Sequence, residues 1–158
     1  MTRFVKIGAA ALVGVLFVSS ASASGVFSAF GGSYRGTGRI SDVNGKSESL
    51  TCRSTNAPAL DGIAMNLSLT CASDSYRVDF HADLFTDGQA LRGTWSETSR
   101  SVNGNVSGSI TPSLINAVTS APGFAANIAI QVEKNGRLEI SLSATGTSIN
   151  HVQVSMRK

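Results

Sequence analysis

Three potential ligands or proton carriers fall at alternate positions in Asp79-Phe80-His81-Ala82-Asp83. Alternate residues of a strand share one face, so both carboxylates and the imidazole meet there, and such a set suits zinc or manganese. No second group of His or Cys completes it, for the chain holds two histidines, His81 and His151, and two cysteines. Arg77 stands in phase with the two carboxylates and balances them, so the segment reads as the solvated face of a strand. Other chemistries are served no better. No serine stands in a G-x-S-x-G turn, and no G-x-x-x-x-G-K-[ST] loop is present to hold phosphate. The sequence therefore predicts no catalytic set, no metal and no cofactor.

A second constellation is apolar. Tyr34, Tyr76, Phe80 and Trp95 each fall in phase with aliphatic neighbours. Core packing is the ordinary use of such residues. In a small barrel, however, aromatic and aliphatic side chains also line cavities for one small ligand. Gly36, Gly38 and Gly93 occupy the same inward phase and are expected to leave room. These four aromatic residues are the expected contacts for a small apolar or amphipathic molecule.

The elements that must position them are strands. From Ile63 to Leu84, apolar residues occupy every second place on either side of a polar break at Ala72-Ser73-Asp74-Ser75, which is the pattern of an antiparallel hairpin. Similar alternation runs through Ser33–Ile40, Ser47–Ser54, Gln89–Glu97, Phe124–Val132, Leu138–Leu142 and Ile149–Arg157. Asn44-Gly45, Asp87-Gly88, Asn103-Gly104 and Asn135-Gly136 supply turn signals. The last strand changes phase between Ile149 and Val152, which a bulge near Asn150-His151 reconciles. One segment breaks the rhythm: Thr111-Pro112 offers a helix cap and first position, and Leu114, Ile115 and Val118 suit one helical side. The expected fold is all-β, an antiparallel up-and-down meander of eight or nine strands. It would form a barrel or half-barrel with a short helix near 112–119; a β-sandwich is the alternative.

The opening residues have the layout of a secretory signal peptide: Arg3 and Lys6, the apolar run Ile7–Val18, then Ser-Ala-Ser-Ala ending at Ala23. That run is shorter than the ~20 residues needed to span a bilayer. The expected organisation is a leader over 1–23, a flexible lead-in over 24–32 and one domain over 33–158. The whole chain carries 13 Lys+Arg against 10 Asp+Glu. Arg3 and Lys6 leave with the leader, so the mature balance falls to +1, and no run of basic residues suggests nucleic acid or an anionic membrane surface; no stable membrane insertion is expected. In an oxidising compartment the pair Cys52 and Cys71 reads as one disulfide. In the chain-entropy model a loop of that size contributes on the order of 3 kcal/mol.

The runs SYRGTGRI (33–40), CASDSYRVDF (71–80) and LRGTWSE (91–97) resemble a group of small exported proteins of Gram-negative α-proteobacteria. That group has no established function, so the resemblance implies export and brings no active site. More distantly the chain is similar to calycin-type barrels, with Gly32-Ser33-Tyr34 where the lipocalin signature has G-x-W. This likeness implies a barrel that binds small hydrophobic ligands. Together these readings predict a periplasmic or secreted, non-enzymatic barrel that binds a small ligand within. The competing expectation is an interaction or inhibitor domain acting through its outer surface, where Arg92, Thr94 and Ser96 would matter more than Trp95.

Overall fold

The computed structural model describes residues 25–158; the leader expected over 1–23 lies outside the described residues. Ten antiparallel strands follow one another: β1 (Gly32–Asp42), β2 (Ser47–Ala59), β3 (Ala64–Ala72), β4 (Arg77–Asp87), β5 (Ala90–Glu97), β6 (Val102–Ile110), β7 (Leu114–Ala121), β8 (Phe124–Val132), β9 (Leu138–Thr145) and β10 (Ile149–Arg157). Each pairs with its neighbour in sequence, and β1 pairs with β10 to close the barrel. Closure decides between the alternatives: the fold is a closed up-and-down barrel and not a half-barrel or sandwich.

The period of two produces the core directly. Tyr34 and Ile40, Leu50 and Cys52, Met65, Leu67 and Cys71, Leu91 and Trp95, and Val154 and Met156 all point inward and are buried. Arginine, serine, threonine and asparagine occupy most alternate places outside. This polarity is the reverse of a membrane barrel, whose outer band is apolar. Among the described residues no helix is long and apolar enough to cross a membrane.

Closing ten strands around so narrow a core requires sharp coiling, and inward glycines provide it. At Gly104 a Cβ would run into the carbonyl oxygen of Ser120, and at Gly36 into that of Ser155. The expected bulge is also present: Ser41 pairs with His151 and Asp42 with Ile149, leaving Asn150 extra.

Three expectations are corrected. The segment expected to be helical near 112–119 is strand β7. Thr111 makes a tight turn instead of a helix cap, its hydroxyl accepting from the Leu114 amide at 3.1 Å. Ile115, Ala117 and Thr119 then alternate inward while Val118 points out. This extra strand raises the count to ten. Secondly, Asn103-Gly104 lies inside β6; the turn falls at Thr98–Ser101, where Ser101 takes a positive φ of 54°. Thirdly, of the lead-in expected to be flexible over 24–32, the described residues 25–32 are anchored. Val26–Phe30 forms a 3-10 helix that plugs one end of the barrel, with Phe27 and Phe30 both 0% exposed.

Candidate functional site

The two ends of the barrel differ. At the plugged end, the Tyr34 hydroxyl donates to the carbonyl oxygens of Phe30 and Gly31, at 3.2 and 3.3 Å. Asn56 donates its side-chain amide to the same Phe30 carbonyl at 3.0 Å, and the Ser54 hydroxyl donates to Asn56 Oδ1 at 2.7 Å. A buried polar group without a partner is costly, so these bonds are the reason Ser54 and Asn56 can stand inside. Tyr34 is thus taken up in holding the plug.

The opposite end is ringed by the turns after β1, β3, β5, β7 and β9 and, among the described residues, carries no plug. Below it, inward apolar side chains remain half-buried: Leu69, Val78, Phe80, Val102, Phe124 and Val152. At their centre Trp95, 5% exposed, stacks on Phe80 with ring centroids 5.7 Å apart and planes 18° from parallel. Phe124 packs against its other side at 5.4 Å. Tyr76, in the turn before β4, packs half-buried on the same core. The indole N–H of Trp95 is buried without an acceptor, the one such side-chain atom among the described residues.

Of the four aromatic residues singled out by sequence, the fold therefore brings Phe80 and Trp95 into contact and leaves Tyr76 at the same end. It puts Tyr34 at the other. Alternation reports which face a side chain occupies and is silent on its height along the barrel axis. Phe124 was missed; its alternation with Ala126 and Ile128 marked it as inward, and only the order of strands sets it beside Trp95. The glycines leave no room, since Gly36, Gly38 and Gly93 face neighbouring backbone at close approach. The closed half of the interior is filled by side chains. Two depressions, of about 460 and 290 Å³, lie on the outer surface.

Two inward carboxylates brace the open rim. Glu97 accepts from the Asp79 and Arg100 amides, both at 2.9 Å, and from Ser99. Burial acts to raise its pKa, but these bonds and the Arg100 charge hold it below the usual carboxylate value. Glu48 ties the first turn to the third: Lys46 Nζ lies 2.9 Å away and the Ser73 hydroxyl donates at 2.8 Å. The Lys46 bond and those from Ser75 and Ser73 lower the Glu48 pKa from 4.5 to about 2. A carboxylate so shifted stabilises the fold fully above the unfolded value and loses that contribution as pH falls toward the folded one. The melting-temperature gap between wild type and Glu48→Gln should accordingly be constant above about pH 4.5 and close between there and pH 2. A gap independent of pH would show that the Glu48 charge contributes nothing.

The polar candidates are engaged elsewhere. Asp79, His81 and Asp83 lie on the outer face of β4, where Asp79 is paired with Arg77 at 2.7 Å and Asp83 accepts from Asn66. Among the described residues no group of three His, Cys, Asp or Glu could hold a metal ion. Cys52 and Cys71, directly opposed on β2 and β3, form the disulfide.

These features define a closed up-and-down barrel, plugged at one end and apolar at the other. The S-type phycobiliprotein lyase CPES from Guillardia theta has a similar structure, with a TM-score of 0.58, 13% identity, and coverage of 82% of this chain and 88% of that one. At that identity the likeness is one of fold. No family model and no curated protein matches the chain.

Proposed function

We propose that this protein is an exported, non-enzymatic barrel of the periplasm or extracellular space whose open mouth takes the apolar part of a small amphipathic molecule. One observation carries the reading: a ring of half-buried inward side chains surrounds a stacked tryptophan whose buried N–H has no acceptor. Apolar surface left accessible inside a barrel gains roughly 25 cal/mol per Å² when a ligand covers it. An unpartnered indole N–H adds an incentive for a ligand oxygen to reach it. The disulfide and the polar exterior agree with an exported protein, and the calycin-like fold with a ligand in the mouth. Of the four aromatic residues expected to touch ligand, Trp95 and Phe80 form its floor and Tyr76 its rim, while Phe124 replaces Tyr34. The sites of carboxylate chemistry are all tied into structural bonds, in keeping with a binding role.

Trp95 is the sole tryptophan, so its emission reports the site directly. Titration with 1-octanol, a neutral amphiphile with one acceptor oxygen, should give a saturable shift in Trp95 emission. Phe80→Glu should abolish it, because a charge at the mouth must be desolvated on binding. Native mass spectrometry of the protein isolated from its own envelope should show a bound small mass. An unresponsive Trp95 with no adduct would overturn the proposal and favour action through the outer surface.

A further inference from the structure

The arginines are scattered in the sequence, but the strand register assembles them. On the outer face Arg35 of β1 lies directly opposite Arg53 of β2 and Arg157 of β10. Like charges opposed across antiparallel strands are destabilising. Three other arginines have carboxylate partners: Asp79 pairs with Arg77, Glu97 with Arg100 and Glu133 with Arg137. Arg35, Arg53 and Arg157 are all exposed and form no ion pair with any described residue. Arg35 thus stands between two like charges, and no ion pair relieves them.

Beside this row runs the larger outer groove, of about 460 Å³, walled by Arg35 and Arg53 on one side and Arg77 on the other. Thr51 and Thr70 add hydroxyl groups, and the small side chain of Ala72 leaves the floor low. Asp79 steadies the Arg77 guanidinium from outside the lining. A guanidinium presents paired donors that match the oxygens of a phosphate bidentately. A single carboxylate would leave most of the row unneutralised; a pyrophosphate-like anion carries enough charge and enough oxygens for two arginines and the threonines together.

We propose that this groove is a binding site for a small anion bearing phosphate groups, either free or as the headgroup of a lipid. It lies on the outside of β1–β4, independent of the barrel mouth. Inorganic pyrophosphate, titrated at fixed ionic strength, should bind saturably and raise the melting temperature, as any ligand of the folded state does. Arg35→Gln/Arg53→Gln should weaken that binding at least tenfold. The same pair should leave the unliganded melting temperature unchanged or higher at low salt, because it removes the opposed charges. Arg35→Lys/Arg53→Lys keeps the charge without the fork and should fall between. Arg92→Gln, exposed on β5, should bind as wild type does.

The second arm separates the sources. Sedimentation with phosphatidylglycerol vesicles but not phosphatidylcholine vesicles, lost in the Gln pair and without a pyrophosphate response, would assign a lipid headgroup. A pyrophosphate response without vesicle binding would assign a free phosphate compound. Equal pyrophosphate or vesicle binding by wild type and the Gln pair, or no response to either beyond a sodium chloride control, would overturn the site.

Discussion

Phe30→Ala is expected to destabilise the barrel by about 3–5 kcal/mol, the range for truncating a fully buried phenylalanine. For a domain of this size that corresponds to a drop of roughly 10 °C in melting temperature. The side chain is 0% exposed inside the plugged end. Its backbone carbonyl accepts from both Tyr34 and Asn56, and the substitution keeps that carbonyl. The surrounding walls are strands fixed by their own ladders and cannot collapse into the void, which places the effect in the upper part of the range. Urea unfolding should show a lower midpoint with an unchanged slope. A loss below about 1 kcal/mol would mean that the plug is not part of the core.

Removing the disulfide is expected to have an effect nearly as large. Cys52→Ala/Cys71→Ala should lower the unfolding free energy by on the order of 3 kcal/mol, given the separation of 19 residues. The two cysteines already face one another in the β2–β3 register, so the folded barrel loses little geometry without the bond. In the chain-entropy model the change falls on the unfolded chain, which regains the freedom of the segment between them. Urea unfolding of the double variant measures it. A change of less than about 1 kcal/mol would place the barrel's stability in its sheet ladders and plug alone.

The alternation of side chains made the strand architecture legible, since a period of two leaves an apolar face that only a sheet can bury. It also gave the extra residue at Asn150 and the inward phase of Trp95 and Phe80. Signals of a few residues were less dependable. Thr111-Pro112 suits a helix start and a strand-to-strand turn equally. The longer run Ile115, Ala117, Thr119, Ala121 settles it as strand, although its small and polar members muted the pattern. Asn103-Gly104 carries a hairpin signature, yet Gly104 is needed where β6 presses on β7, and the turn moved to Thr98–Ser101. Phe27 and Phe30 sit in a Gly/Ser-rich stretch that reads as loose, because nothing local reveals the open barrel end they fill. The candidate sites were the least legible. The row of Arg35, Arg53 and Arg157 and the contact of Trp95 with Phe124 join residues distant in sequence, and only closure fixes which strands meet.

That closure sets an order of events for the chain. Nine of the ten strand pairs join neighbours in sequence across short connections. Each can zip at small loop-closure cost. The β1–β10 seam, where Arg35 meets Arg157 and Ser41 meets His151, links the two extremes of the domain and bears the largest loop entropy of any pairing. Contacts of such range are slow to form. Until the seam shuts, the meander is an open sheet with two bare edges, each able to pair with another copy. The aggregation hazard of this protein therefore lies in the interval before that final pairing, and it ends when the two edges find each other.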